Sequence, residues 1–177
     1  MRICPSYLSF ILYNPIRKAL TDREKVLDES GIAESSVVLE VGAGNGFLTE
    51  ALARRARKVY AVELQAGMVR KLRKRLRKFG DKVVIIMADI AQYAPEEGFA
   101  DTALLYFSFH EVGNQEEGAA RIGKAVRKGG ILSIYEPVFE VDNAAMQKSL
   151  GLFERAGFRR EAERRGRFVH FARMIRQ

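Results

Sequence analysis

Cysteine is almost missing from this chain: Cys4 is the only one, and tryptophan does not occur at all. A single thiol excludes an intrachain disulfide and a cysteine-based metal site, so no metal is expected and the cytoplasm is the expected compartment. Long apolar runs are missing too. No window approaches the roughly 18 apolar residues a membrane span needs, so no membrane association is expected. The apolar start over residues 1–13 is brief, is bracketed by Pro5 and Pro15, and lacks the small residues of a cleavage site, which argues against a signal peptide. There is no internal repeat, no low-complexity segment and no linker rich in Pro, Gly or Ser. The 177 residues therefore read as one domain.

What the chain has in excess is positive charge, a net +8 from 30 Lys and Arg against 22 acids. Seven of the nine residues over 70–78 are basic, and eight arginines fall between 155 and 176. Such tracts either bind nucleic acid or form a solvated, ion-paired surface. Met68, Val69, Leu72, Leu76 and Phe79 make an apolar stripe through the first tract, which puts its cations mainly on the opposite face. No aromatic residue interleaves them to stack on bases, and the tract reads as solvated surface.

Along the chain, short apolar runs alternate with helical periodicity. Strands are expected at residues 36–41, 59–62, 83–87, 102–109 and 131–135, with helices at 47–57, 68–79, 115–127 and 143–156 between or after them. Residues 158–164 and 167–175 read as two strands joined by a tight turn at Arg165-Gly166, and so antiparallel to each other. Alternating strands and helices imply an α/β, doubly wound, mostly parallel sheet with helices on both faces. Here it would have seven strands and an antiparallel C-terminal hairpin.

The strongest chemical signal follows the first strand, where residues 40–46 read Glu-Val-Gly-Ala-Gly-Asn-Gly. Glycines there let the backbone turn sharply and let a ligand approach the main chain. A dinucleotide fingerprint would need its third glycine at position 47, which is Phe47; here it comes one residue early, at Gly46. That spacing favours S-adenosylmethionine over NAD, because no pyrophosphate has to be seated, while exposed amides can take the methionine carboxylate. Glu63 closes the second strand nineteen residues after Gly44, where a carboxylate can accept both hydroxyls of a ribose. Asp89 follows the third strand and can accept the exocyclic amine of adenine, with Ile90 and Leu64 placed to sandwich the ring.

Taken together, residues 38–63 resemble motif I and the second-strand acid of class I S-adenosylmethionine-dependent methyltransferases. Ala88-Asp89-Ile90 is similar to that family's adenine site. Phe109-His110-Glu111-Val112 resembles the His-Glu-Val or His-His-Val signature of small-molecule methyltransferases of the UbiE-like and related branches. Residues 126–132 are like the stretch before strand five, with Lys128-Gly129 where Pro-Gly is usual, and residues 152–158 resemble the helix exit before strand six.

The resemblance covers roughly residues 15–175 and implies a Rossmann-like methyltransferase fold with S-adenosylmethionine as cofactor. It assigns Gly42, Gly44, Gly46, Glu63, Asp89 and Ile90 to cofactor binding, with Glu40 orienting water near the methionine amine. Ala43, Leu64 and Tyr106 complete that set. The core is expected over residues 34–177, preceded over residues 1–33 by a helical segment. Its Tyr7, Phe10, Tyr13, Asn14 and Arg17 suit either a lid over the cofactor or a cap on the sheet.

Without an insertion after the late strands there is no room for a separate recognition domain. Either the acceptor is a small molecule, or a partner subunit, such as a second copy, completes the pocket. Leu48-Thr49-Glu50 and residues 61–64 also resemble rRNA adenine dimethyltransferases. That family's Asn-(Pro or Leu)-Pro-(Tyr or Phe) motif is replaced here by Ser108-Phe109-His110-Glu111, which disfavours methylation of a base amine. A catalytically inert, cofactor-binding relative is a third reading. Transfer itself would be direct and in line, driven by alignment. His110 could be a general base, or could shape the pocket wall. Glu111 could orient the His110 ring or cap the helix that follows.

Overall fold

The computed structural model describes residues 22–177. Tyr7, Phe10, Tyr13, Asn14 and Arg17 lie outside them. The first helix among the described residues, α1 (Arg23–Glu29), is capped by Asp22, whose Oδ1 accepts the Lys25 amide at 3.0 Å. There follow β1 (Val37–Val41), α2 (Thr49–Arg55), β2 (Lys58–Glu63), α3 (Ala66–Leu76), a 3₁₀ segment (Arg77–Lys82), β3 (Val83–Met87) and β4 (Ala100–Tyr106). After a short 3₁₀ turn (Phe109–Glu111) come α4 (Gln115–Ala125), β5 (Val126–Pro137), α5 (Asn143–Arg155), β6 (Phe158–Arg165) and β7 (Val169–Arg176).

The strands form one seven-stranded sheet in the order β3-β2-β1-β4-β5-β7-β6. The first five are mutually parallel, and β7 runs antiparallel to both neighbours. This is the expected doubly wound sheet with its C-terminal hairpin. β1 is buried at all five positions, as a central strand covered on both faces must be, and it reads as an apolar run broken only by Glu40.

Two apolar layers cover the sheet. On one face Leu39, Leu105, Leu132 and Ile134 pack against Ile122 of α4 and Met146, Leu150 and Phe153 of α5. On the other, Val38, Leu104, Tyr135 and Phe171 meet Val26 and Leu27 of α1 and Leu52 of α2. There α3 contributes Leu72 and Leu76 against Ala43 and Ala61. The Tyr135 hydroxyl donates to Glu29 Oε2 at 3.1 Å, which ties α1 to β5.

Several boundaries differ from the sequence expectation, each for a local reason. β4 stops at Tyr106 rather than at residue 109, because Phe107 takes a left-handed φ of 57° and turns the chain out of the sheet. β5 begins at Val126, before the Gly129-Gly130 pair, and α4 accordingly ends at Ala125. Gly130 is absorbed into the strand as an irregularity opposite Asp101, whose carbonyl would lie 2.8 Å from an added Cβ. The hairpin turn spans Gly166 to Phe168, closed by the Gly166 amide on the Val169 carbonyl at 3.0 Å, so β7 starts two residues later than expected. Helix α2 starts at Thr49 rather than at residue 47.

The basic tracts are surface. Met68, Val69, Leu72 and Leu76 of α3 are buried while Arg70, Arg73, Lys74 and Arg77 are exposed. In the hairpin, Arg160, Arg164 and Arg173 pair with Glu154, Glu29 and Glu161. Among the described residues no helix is long and apolar enough to cross a membrane, and no group of three or more His, Cys, Asp or Glu is arranged to hold a metal.

Candidate active site

The carboxyl ends of β1, β2 and β4 open into a cavity of about 410 Å³, within the range of small-ligand sites and at the place where doubly wound sheets bind them. Its floor is the loop after β1. Gly42, Gly44 and Gly46 take φ values of 75°, 57° and 86°, a region side chains disfavour. Gly42 has a second constraint: an added Cβ would sit 2.4 Å from the Cβ of Ser108, whose hydroxyl donates to the Val41 carbonyl at 2.7 Å. Gly42 and Ala43 both donate their amides to the Val62 carbonyl, so the loop is tied to β2.

Glu63 completes that tie. Its Oε2 accepts the Gly44 amide at 2.8 Å and its Oε1 accepts the Gln65 amide at 2.7 Å. One carboxylate thus fixes the glycine loop and the entry to α3, and it is buried in doing so. Asp89 bends back to accept the Ala91 amide at 2.9 Å. Ile90 is buried beside it, while Leu64 is 49% exposed, a large apolar side chain left open at the cavity wall.

Glu40, Gly42, Ala43, Gly44, Glu63, Leu64, Asp89, Ile90, Tyr106, His110 and Glu111 all line this one cavity. Gly46 does not. It faces α3, where an added Cβ would meet Leu72 at 2.8 Å, so its role is to let the helix pack against the loop.

Glu40 is 4% exposed, and burial pushes its carboxyl up to about 8. The Thr49 hydroxyl beside it opposes that rise without reaching hydrogen-bond geometry, and the charge of Glu63 adds to it. Both Glu40 Oε2 and Thr49 Oγ1 are left without a partner. A buried oxygen with no partner is costly unless a ligand supplies one. This oxygen, the glycine cradle, the strand-end carboxylate of Glu63 and the Leu64–Ile90 pair around Asp89 together fit S-adenosylmethionine: its amine, its amino-acid carboxylate, its ribose and its adenine.

At the other end of the cavity stands His110, carried on the 3₁₀ turn after β4. Its Nδ1 lies 2.6 Å from Glu136 Oε2, its Nε2 lies 2.7 Å from Glu140 Oε2, and its backbone amide donates to Glu136 Oε1 at 3.1 Å. Burial acts to lower the imidazole's proton affinity, but the bond to Glu136 and the charges of Glu136, Glu140 and Glu111 outweigh it and leave the pKa above the usual 6.5. Both ring nitrogens thus face carboxylates, an arrangement that favours the protonated imidazolium over the neutral ring. Glu136 and Glu140 are absent from the residues picked out in the sequence. Glu136 had a signal, an acid closing a parallel strand just as Glu63 does; Glu140, in the loop after β5, had none.

A protein-family model described as a methyltransferase domain matches residues 38–130. An uncharacterized methyltransferase of Geobacillus sp. (strain WCH70) is 30% identical over 153 residues, covering 85% of this chain and 70% of that protein. The chain belongs to the S-adenosylmethionine-dependent methyltransferases. Among solved structures, a SAM-dependent methyltransferase from Aquifex aeolicus superposes with a TM-score of 0.84 at 25% identity, covering 98% of this methyltransferase and 100% of that chain. The ribosomal RNA small subunit methyltransferase A of Caldanaerobacter subterraneus is 41% identical over 68 residues, which cover 38% of this methyltransferase and 25% of that relative. The chain spans 70% of the length of the Geobacillus relative and 25% of that of the Caldanaerobacter one.

Proposed function

We propose that this methyltransferase transfers the cofactor's methyl group to a small organic molecule, in the cytoplasm, rather than to RNA. The observation that carries the reading is the charge of the cavity. Glu63, Asp89, Glu111 and Glu140 line it, and no Lys or Arg among the described residues does, although the chain as a whole carries +8. Nucleic-acid binding rests on neutralising phosphates with Lys and Arg, and a mouth walled by carboxylates repels them. Ser108-Phe109-His110-Glu111 in place of a base-amine motif points the same way.

In this reading the cofactor brings a methyl already activated as a sulfonium, and the chain's residues supply position. Gly42 and Gly44 admit it to the backbone, Glu63 and Asp89 fix its ribose and adenine, and Glu40 receives its amine. Tyr106, Phe107 and the His110 side chain form the wall against which the acceptor is aligned. Alignment accounts for most of the acceleration such a transfer needs. The test is radiolabelled S-adenosylmethionine offered in parallel to deproteinised ribosomal RNA, to small ribosomal subunits, and to a panel of small amines, phenols, thiols and carboxylic acids. Label in a small molecule is expected; label in RNA would overturn the reading.

A further inference from the structure

The acceptor end of the cavity has a composition of its own. Glu140, His110 and Glu111 line it beside Tyr106, Phe107 and Pro137, and the Tyr106 and Phe107 rings stack at 4.2 Å between centroids. Of the two Glu140 oxygens, Oε2 is held 2.7 Å from His110 Nε2, and the Glu140 side chain remains 46% exposed. His110 in turn is locked from behind by Glu136, a carboxylate only 1% exposed that holds both its ring and its backbone amide. The imidazole therefore presents neither nitrogen to a ligand. What this wall offers an incoming molecule is a positioned carboxylate and aromatic faces.

Resting on the small-molecule reading above, we infer that Glu140 is a specificity-determining residue that selects acceptors bearing an ammonium group, and that His110 and Glu136 are the positioning residues that hold it. A carboxylate anchored through one oxygen keeps the other for an N–H donor, and a charge-assisted bond of that kind is short and strong. Aromatic faces attract the same cation. An acceptor presenting a carboxylate or phosphate here would meet the Glu140 carboxylate, and no Lys or Arg among the described residues lines the cavity to offset it, which supplies discrimination by repulsion. Glu136 acts at one remove. Buried and doubly bonded to His110, it fixes the ring whose far nitrogen fixes Glu140, so its loss is felt as a loose carboxylate rather than as a missing one.

The full chain, ¹⁵N-labelled and saturated with S-adenosylhomocysteine, is titrated separately with benzylammonium and with benzoate, matched probes differing in the sign of one group. Benzylammonium is expected to shift the amides of residues 139–141 saturably, and benzoate to leave them in place. Glu140→Gln should weaken benzylammonium binding at least tenfold with the His110 ring signals still those of a ring bound to Glu136. Glu136→Gln should weaken it as well, but with the ring signals changed. Because a buried substitution can cost the fold, His110→Gln is run beside it and is expected to weaken benzylammonium binding through the same loss of anchoring. Benzoate binding as well as benzylammonium, or Glu140→Gln binding the cation as the parent does, or no shift with benzylammonium at all, would each overturn the inference. Label appearing in RNA would defeat the small-molecule reading instead. Label in a small acid, together with benzoate binding, would leave that reading standing and defeat this inference alone.

Discussion

His110 meets Glu136 through two bonds, backbone amide to Oε1 at 3.1 Å and ring Nδ1 with Oε2 at 2.6 Å, so one buried carboxylate fixes both main chain and ring. The site's ionisation follows from that pairing. Burial alone would drive the imidazole towards its neutral form, and the Glu136 bond with the surrounding carboxylates reverses the outcome. A histidine whose folded pKa is raised contributes stability that is complete below its unfolded value near 6.5 and is lost as the pH rises through the folded value. Ring resonances of His110 should therefore titrate with a midpoint above 6.5, and Glu136→Gln should lower it. His110→Gln should in turn flatten the fall in melting temperature as the pH rises above 6.5. A midpoint at or below the ordinary value in the parent protein would contradict the paired geometry.

Glu63→Ala should weaken binding of S-adenosylhomocysteine by about 2–4 kcal/mol, the worth of two charge-assisted bonds to a ribose. A second loss is expected from the protein itself, because the Gly44 and Gln65 amides that Glu63 holds at 2.8 and 2.7 Å lose their acceptor. Calorimetry measures the first, and faster hydrogen exchange at Gly44 and Gln65 reports the second. Unchanged affinity in a folded variant would show that Glu63 serves the loop alone.

Gly42→Ala should destabilise the fold by roughly 1–3 kcal/mol, since the residue combines a left-handed φ with an overpacked contact. The added methyl would sit 2.4 Å from Ser108 Cβ. Adding Ser108→Gly should recover much of the packing cost and leave the backbone cost, a separation that denaturant unfolding of the two variants resolves.

Glu40 predicts a second pH dependence, of the same sign but at a different place. Its carboxyl is pushed up to about 8 by burial, so the native state holds a proton that the unfolded chain has released. Stability from this group is complete below the unfolded value near 4.5 and declines as the pH climbs to about 8; Glu40→Gln should remove the decline. A cationic amine placed beside it would expel that proton. Cofactor affinity should then rise with pH towards 8, by up to tenfold per unit, with proton release visible in calorimetry across buffers. Affinity independent of pH over that range would place the amine elsewhere.

The order of elements and the glycine-loop half of the cavity lining were legible in the chain because their signals are local. Buried parallel strands read as short, mostly apolar runs, as β1 does around Glu40, and a loop whose residues need positive φ shows its glycines. Glu63 announces itself by closing a strand at a set distance from Gly44. The acceptor half was legible only at His110 and Glu111. Glu136 and Glu140 stand 26 and 30 residues beyond His110 and reach it only because β5 lies beside β4 in the sheet. Gly46 carried the opposite lesson. Its glycine belongs to the motif by spacing and is needed for its φ of 86°, yet it meets a further requirement, the Leu72 side chain of a helix whose approach no local pattern encodes.

The hairpin imposes an order on biogenesis. β7 is translated after β6 but sits between β5 and β6, so β6 has no neighbour to join until residues 169–176 have left the ribosome. Before that moment β5 presents the edge that β7 will occupy, from Ile131 to Pro137, as an open ladder of amides and carbonyls. The nascent chain can assemble its parallel strands and its cofactor loop early, but it carries a strand-accepting edge until the final strand inserts. A chain interrupted after Arg165 would keep that edge, and would be a substrate for self-association and for quality control rather than a smaller enzyme.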